Sequence, residues 1–128
     1  MRETIDSRDL CKRVFELDES IRFAALADRY GKPSVMKYKK GSVPLLSKEE
    51  AMLSIIQSTV RMGSIKSMIG KLGKLVYASA VYEKVIRATI PLNDGSYLLM
   101  SFEADANHES IILKKIMPFL QKHGLTGR

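Results

Sequence analysis

The sequence predicts an α+β domain: a five-stranded, mainly antiparallel sheet with helices on both faces. Three observations predict it. Residues 21–27 (IRFAALA) and 97–102 (YLLMSF) carry little polarity on either face, as strands covered from both sides do. Residues 34–40 instead alternate, Met36 and Tyr38 facing one way and Lys37 and Lys39 the other, a pattern that blunts an exposed sheet rim. Segments with helical period separate the strand groups, in the order α-β-β-α-β-β-β-α.

Each element has a local reason. Asp6 or Ser7 can cap a first helix in which Leu10, Val14 and Leu17 recur at helical spacing beside Cys11 and Phe15. The run Asp18-Glu19-Ser20 ends it, and the strand over 21–27 follows. Asp28-Arg29-Tyr30-Gly31-Lys32-Pro33 is a turn by composition, leading into the lysine-bearing strand over 34–40. After a loop over 41–46, Ser47 and Glu50 form a capping box for a helix over 48–63. This helix is expected to weaken at Gly63-Ser64, with a turn or two more over 65–69. Strands are then expected over 74–82, 85–92 and 97–102, the last two joined by an Asn93-Asp94-Gly95 hairpin. Asp105 or Asn107 caps a final helix near His108, with Ile112, Ile116 and Phe119 as its inner stripe and an interruption at Pro118. The tail over 124–128 is expected to be loose.

Hairpins tie the second strand to the first, the third to the fourth and the fourth to the fifth. Placing the two-sided apolar strands centrally joins those groups through the first and fifth, giving the order 2-1-5-4-3 with the third strand at the other rim. A chain of 128 residues suits one such domain, spanning residues 1–128, and can bury a core without disulfides or metal.

The middle helix is unusual. At about 100° per residue, Ala51, Met52, Leu53, Ile55, Ile56, Thr59, Val60, Met62 and Gly63 fill an arc of roughly 200°, leaving Glu50, Ser54, Gln57, Ser58 and Arg61 as a polar stripe. One core requires an apolar stripe of about 100° or slightly more. The surplus implies a second buried contact, most simply another copy of the chain. Met52, Leu53, Ile55, Ile56, Thr59, Val60 and Met62 are the candidate interface residues.

Charge is also uneven. The formal net charge is +7. Residues 29–48 hold Arg29, Lys32, Lys37, Lys39, Lys40 and Lys48 without an acid, and residues 61–74 hold Arg61, Lys66, Lys71 and Lys74 without one. Arg29, Lys32, Lys37, Lys39, Lys40, Lys66, Lys71 and Lys74 are therefore a candidate basic patch, open to two readings: a surface for phosphate-rich or acidic partners, or lysines that keep a strand rim and a loop soluble.

Chemistry is sparse. No catalytic constellation, metal set or cofactor motif stands out. His108 and His123 are fifteen residues apart, about 22 Å along one helix, so each is expected as a surface histidine rather than a ligand. The serines lack a histidine in pattern with them. The segment 63–74 departs from a phosphate-binding loop in its glycine spacing, and Leu72 and Leu75 follow the lysines where a hydroxyl is needed. Cys11, the single cysteine, is expected as a small buried hydrophobe. The N-terminus is charged from its second residue and no apolar run approaches a membrane span. A cytoplasmic location is the corresponding expectation.

The element order resembles the roadblock (dynein light chain) fold of the profilin-like and longin-like group, over about residues 5–122. At residue level the chain is also similar to a small archaeal family of unknown function. The matching pieces are Leu17-Asp18-Glu19-Ser20-Ile21-Arg22-Phe23-Ala24, the Asp28-x-x-Gly31 turn, Ile90-Pro91-Leu92, and Ser101-Phe102-Glu103-Ala104-Asp105-Ala106-Asn107-His108. The resemblance implies a non-enzymatic platform that dimerises through its central helix and an edge strand and serves a small GTPase or another signalling or motility assembly. Two other functions remain open. One is a small-molecule sensor with Met36, Tyr38, Tyr77, Met100 and Phe102 around a pocket. The other is a module in which the basic stretches bind nucleic acid or an acidic protein.

Overall fold

A computed structural model describes residues 5–127. Helix α1 (Ser7–Leu17) is followed by β1 (Ile21–Ala27), β2 (Pro33–Tyr38) and α2 (Lys48–Ile65). A 3₁₀ turn, Lys66–Met68, and a short α3 (Ile69–Leu72) lead to β3 (Ala78–Val81), β4 (Val85–Pro91) and β5 (Tyr97–Glu103). The final rod comprises α4 (His108–Ile111), a π-helical stretch Ile112–Ile116 and α5 (Met117–Lys122). The strands form one sheet in the order β2-β1-β5-β4-β3, every pairing antiparallel. That is the order expected from placing the doubly apolar strands at the centre.

Alternation along the strands splits the core in two. Ala24, Leu26, Ile86, Ile90, Leu98 and Phe102 meet α1 and the final rod on one face. Ala25, Ala27, Tyr97 and Leu99 meet Ile55 and Met62 of α2 on the other. Asp6 caps α1, accepting from the Asp9 backbone N–H at 2.9 Å. The Ser47–Glu50 capping box opens α2, with both reciprocal bonds present at 2.9 and 3.1 Å. Asn107 caps α4.

Several elements depart from expectation for identifiable reasons. β3 starts at Ala78 rather than Lys74. Its register on β4, Ala78 opposite Thr89 and Ala80 opposite Arg87, would next bring Val76 opposite Pro91. The Tyr82 N–H donates to the Val85 carbonyl at 2.9 Å, so alternate β4 residues, Pro91 among them, turn their nitrogens toward β3. Proline has no hydrogen to give, and the ladder stops there. Helix α2 runs through Gly63, and the chain stays helical to a stop at Gly73, whose φ is +83°. Pro118 is expected to interrupt the final helix, but the rod stays helical through it from His108 to Lys122. The preceding π turn bonds the Met117 N–H to the Ile112 carbonyl, accommodating a residue that cannot complete an i→i−4 ladder. The tail is pinned rather than loose as far as Leu125: the Asn93 N–H donates to the Leu125 carbonyl at 2.9 Å and the Leu125 N–H to the Leu120 carbonyl at 2.9 Å. Arg128 lies outside the described residues.

Two junctions tie the layers together. Gly31, at φ +85°, seats the β1–β2 turn on α2, where an added Cβ would stand 3.1 Å from the Ile56 Cα. Because that neighbour is backbone, Gly31→Ala should cost about 1–3 kcal/mol, read as a lowered denaturation midpoint with an unchanged slope. Asp18 joins the α1–β1 corner to the final rod. It accepts from the Ser20 N–H at 2.9 Å, the Ser20 hydroxyl at 2.7 Å and the Lys115 ammonium at 2.9 Å. The Ser20 backbone bond, with Lys115 behind it, lowers the Asp18 pKa to about 2. A depressed carboxylate stabilises the fold above its ordinary pKa near 4 and loses that contribution as pH falls through about 2. Urea midpoints at pH 5, 3 and 2 should therefore fall more steeply for the wild type than for Asp18→Asn.

Candidate functional site

Helix α2 presents three different strips around its axis. Ser54, Ser58, Ala51, Met62, Ile55 and Thr59 are all buried against the sheet. Met52, Leu53, Ile56 and Val60 face outward, 39%, 55%, 44% and 66% exposed, within an arc of about 100°. Gln57, Arg61 and Glu50 form the exposed polar remainder. The expected polar stripe is thus corrected: Ser54 and Ser58 point at the sheet, and the surplus apolar residues point to solvent. Of the seven candidate interface residues, Ile55, Thr59 and Met62 serve the subunit's own core, while Met52, Leu53, Ile56 and Val60 do not. Exposed apolar residues also occur nearby in sequence, at Val43, Leu45 and Leu46 before the helix and at Tyr30 on the turn seated against Ile56.

Beneath the helix the packing is uneven. On the β1 and β5 side, Ile55 and Met62 fill the space over Ala25, Leu99 and Tyr97. On the β4 and β3 side a cavity of about 100 Å³ remains, bordered by Ser54, Ser58, Arg61, Ala78, Ala80, Arg87, Thr89 and Ser101 and, as its apolar part, by Phe23, Tyr38, Leu45, Leu46, Tyr82 and Val85. Cross-strand register explains the grouping. Ala80, Arg87, Ser101, Phe23 and Tyr38 form one row across the sheet, and Ala78, Thr89, Leu99, Ala25 and Met36 the next. The Arg87 guanidinium donates to the Ser54 hydroxyl. Arg22 reaches the same cavity because the β1–β5 register slips between Ile21 and Phe23, a bulge that re-aims the extra side chain. Its guanidinium is occupied by the Val43 carbonyl at 2.7 Å and Glu103 at 3.2 Å.

No protein-family model matches the sequence, and no curated protein does. Solved structures do match. The gliding protein MglB of Thermus thermophilus superposes with a TM-score of 0.69 at 13% identity, covering 84% of this chain and 78% of the other. A structure described as MglB with tetrameric arrangement gives 0.69 at 14% identity, covering 84% and 77%. A roadblock/LC7 domain from Streptomyces avermitilis gives 0.67 at 12% identity, covering 93% of this chain and 99% of that domain. The fold is the roadblock fold. The resemblance drawn from element order is therefore borne out at the level of architecture.

In this roadblock fold the eight candidate basic residues do not form one patch. Arg29 lies over Gly95, and Lys66 and Lys74 border a cavity beside the same hairpin, with Lys66 5.8 Å from the Tyr97 ring centroid. Lys32 shares the turn of Arg29, and Lys71 is exposed on α3. Lys39 and Lys40 follow the other end of β2, where Lys39 donates to the Glu19 carbonyl. Lys37 lies on the α1 side of β2, its charge acting on Cys11. Of the five residues expected to line a sensor pocket, Tyr38 and Met100 both border the cavity beneath α2, whereas Met36 packs in the α2-side core and Phe102 and Tyr77, with most of Met100, in the opposite one. His123 is buried against the Phe119 ring at 4.7 Å, correcting its expected surface position, and His108 is half-buried 6.5 Å from Phe102. Among the described residues no group of three His, Cys, Asp or Glu could hold a metal ion, and no helix is long and apolar enough to cross a membrane.

The residue that sequence reading missed is Arg87. It lies in a strand whose alternation is otherwise regular, and only the pairing of β4 with β3 and β5 shows that it faces α2. The serines opposite it, Ser54 and Ser58 at i and i+4, were the available signal.

Proposed function

We propose that this chain is a homodimeric interaction platform that docks through the outer face of α2 and serves a small GTPase or another signalling protein. The observation that carries the reading is the line of Met52, Leu53, Ile56 and Val60 along one exposed helical face. Burying such a side chain contributes about 1.5–3 kcal/mol, so four together supply the apolar centre that a stable interface needs. A symmetric pairing lets the same strip serve both partners. The short rim strand β3, with Val81 68% exposed and Tyr82 beyond it 50% exposed, offers a second edge for the contact. Two further points support the reading: the roadblock resemblance implies dimerisation through the central helix and an edge strand, and the similar MglB is described in a tetrameric arrangement.

Light scattering at micromolar concentration should give twice the monomer mass of 14.4 kDa. A monomer would remove the proposal. Ile55 and Met62, at 1% and 2% exposed, are unsuitable sites for that test, since charge there attacks the subunit's own core.

A further inference from the structure

The geometry points to a binding site for a small oxyanion, a phosphate group or a short carboxylate, in the cavity between α2 and the β3–β4 side of the sheet. Helix–sheet interfaces are ordinarily sealed with aliphatic side chains. Here Ser54 and Ser58 on the helix oppose Arg87, Thr89 and Ser101 on the sheet, with Arg61 toward the exposed side of the helix, while Leu45, Leu46 and Tyr82 supply an apolar part of the border. A single water needs roughly 10–15 Å³ of such space. The 100 Å³ present exceeds that several-fold and suits an anion of a few heavy atoms.

Charge selects the ligand. Among the described residues, three arginines border the cavity and no carboxylate does. Arg22 is already engaged by Glu103 and the Val43 carbonyl. Arg87 is half-buried, and among the described residues the one hydrogen-bond partner of its guanidinium is the Ser54 hydroxyl and no carboxylate pairs with it. A guanidinium has five donors in a planar fork that matches two oxygens of a carboxylate or phosphate. Leaving that fork half out of water without an anion is costly, and a charge-assisted bidentate pair would offset the cost. The hydroxyls of Ser54, Ser58, Thr89 and Ser101 supply further donors around the same space. The assignment does not rest on the proposed dimer, although Tyr82 at its suggested edge also borders the cavity.

The test uses the full chain in low-salt buffer, titrated separately with inorganic phosphate and with oxalate, followed by calorimetry and by amide shifts in ¹H–¹⁵N spectra. Saturable 1:1 binding with a Kd at or below about 1 mM is expected for at least one probe, with shifts centred on Ser54, Ser58 and Thr89. A response to phosphate alone assigns a phosphoryl group, and a response to oxalate alone assigns a carboxylate. Arg87→Gln should weaken binding at least tenfold, and Ser54→Ala several-fold in case the first variant folds poorly. Lys71→Gln should bind as the wild type does. Absence of saturable binding to either probe overturns the assignment, as does binding that survives both cavity substitutions or that shifts only the lysine-rich segment 66–74.

Discussion

Ile56→Asp combined with Val60→Asp is expected to yield a folded monomer. Both positions are substantially exposed, 44% and 66%, so charge there meets water in the isolated subunit. In a dimer closed over the α2 face, the same carboxylates would be desolvated without partners. Residues at the centre of an interface each cost about 2 kcal/mol or more when disabled. Two together should weaken association by at least about 4 kcal/mol, roughly a thousandfold in Kd. Sedimentation velocity across a concentration series reads the shift, while far-ultraviolet circular dichroism and the urea midpoint confirm that the subunit is intact. A dimer of unchanged affinity would place the interface elsewhere. Ile55→Asp is the informative contrast: its side chain faces Ala25 and Leu99, so it should unfold the chain.

Phe102→Ala should be the most damaging conservative truncation. Phe102 is fully buried at the end of β5, in the core shared by α1 and the final rod. Its strand pairs on both sides, opposite Ile21 and Ile86, and neither neighbour can move inward without breaking register. The cavity therefore persists, and the expected loss is about 3–5 kcal/mol. Chemical denaturation monitored by circular dichroism measures it. A loss below about 1 kcal/mol would mean that the core collapses around the gap.

Most of the architecture was legible because it rests on period and on two-sided burial. The strand order followed from the absence of polar residues in 21–27 and 97–102, as against the lysines at 37 and 39. Caps could be read, Ser47 outright and Asp6 and Asn107 each as one of two alternatives, because a helix start leaves backbone N–H groups that need a nearby side-chain acceptor. What was not legible depended on residues distant in sequence. The start of β3 is set by Pro91 through a register that no local window contains. The rotation of α2 is set by the sheet beneath it: Arg87, Thr89 and Ser101 make part of that floor polar, so serines rather than leucines turn down onto it. Hydrophobic period alone assigns the greasiest strip to the subunit's own core, and here it faces out. The tail was misjudged for a related reason, since the β4–β5 hairpin holds it through Asn93, whereas the contact of His123 with Phe119 lies one helical turn away.

Cys11 makes the wild-type chain its own reporter of opening. The thiol has no exposed surface, and burial raises its pKa to about 11 despite the nearby Lys37 charge. In the closed state it is both shielded and protonated, so an alkylating reagent has neither access nor thiolate to attack. Labelling then proceeds only when α1 lifts from the sheet, and because no second sulfhydryl competes, the labelling rate counts those excursions directly.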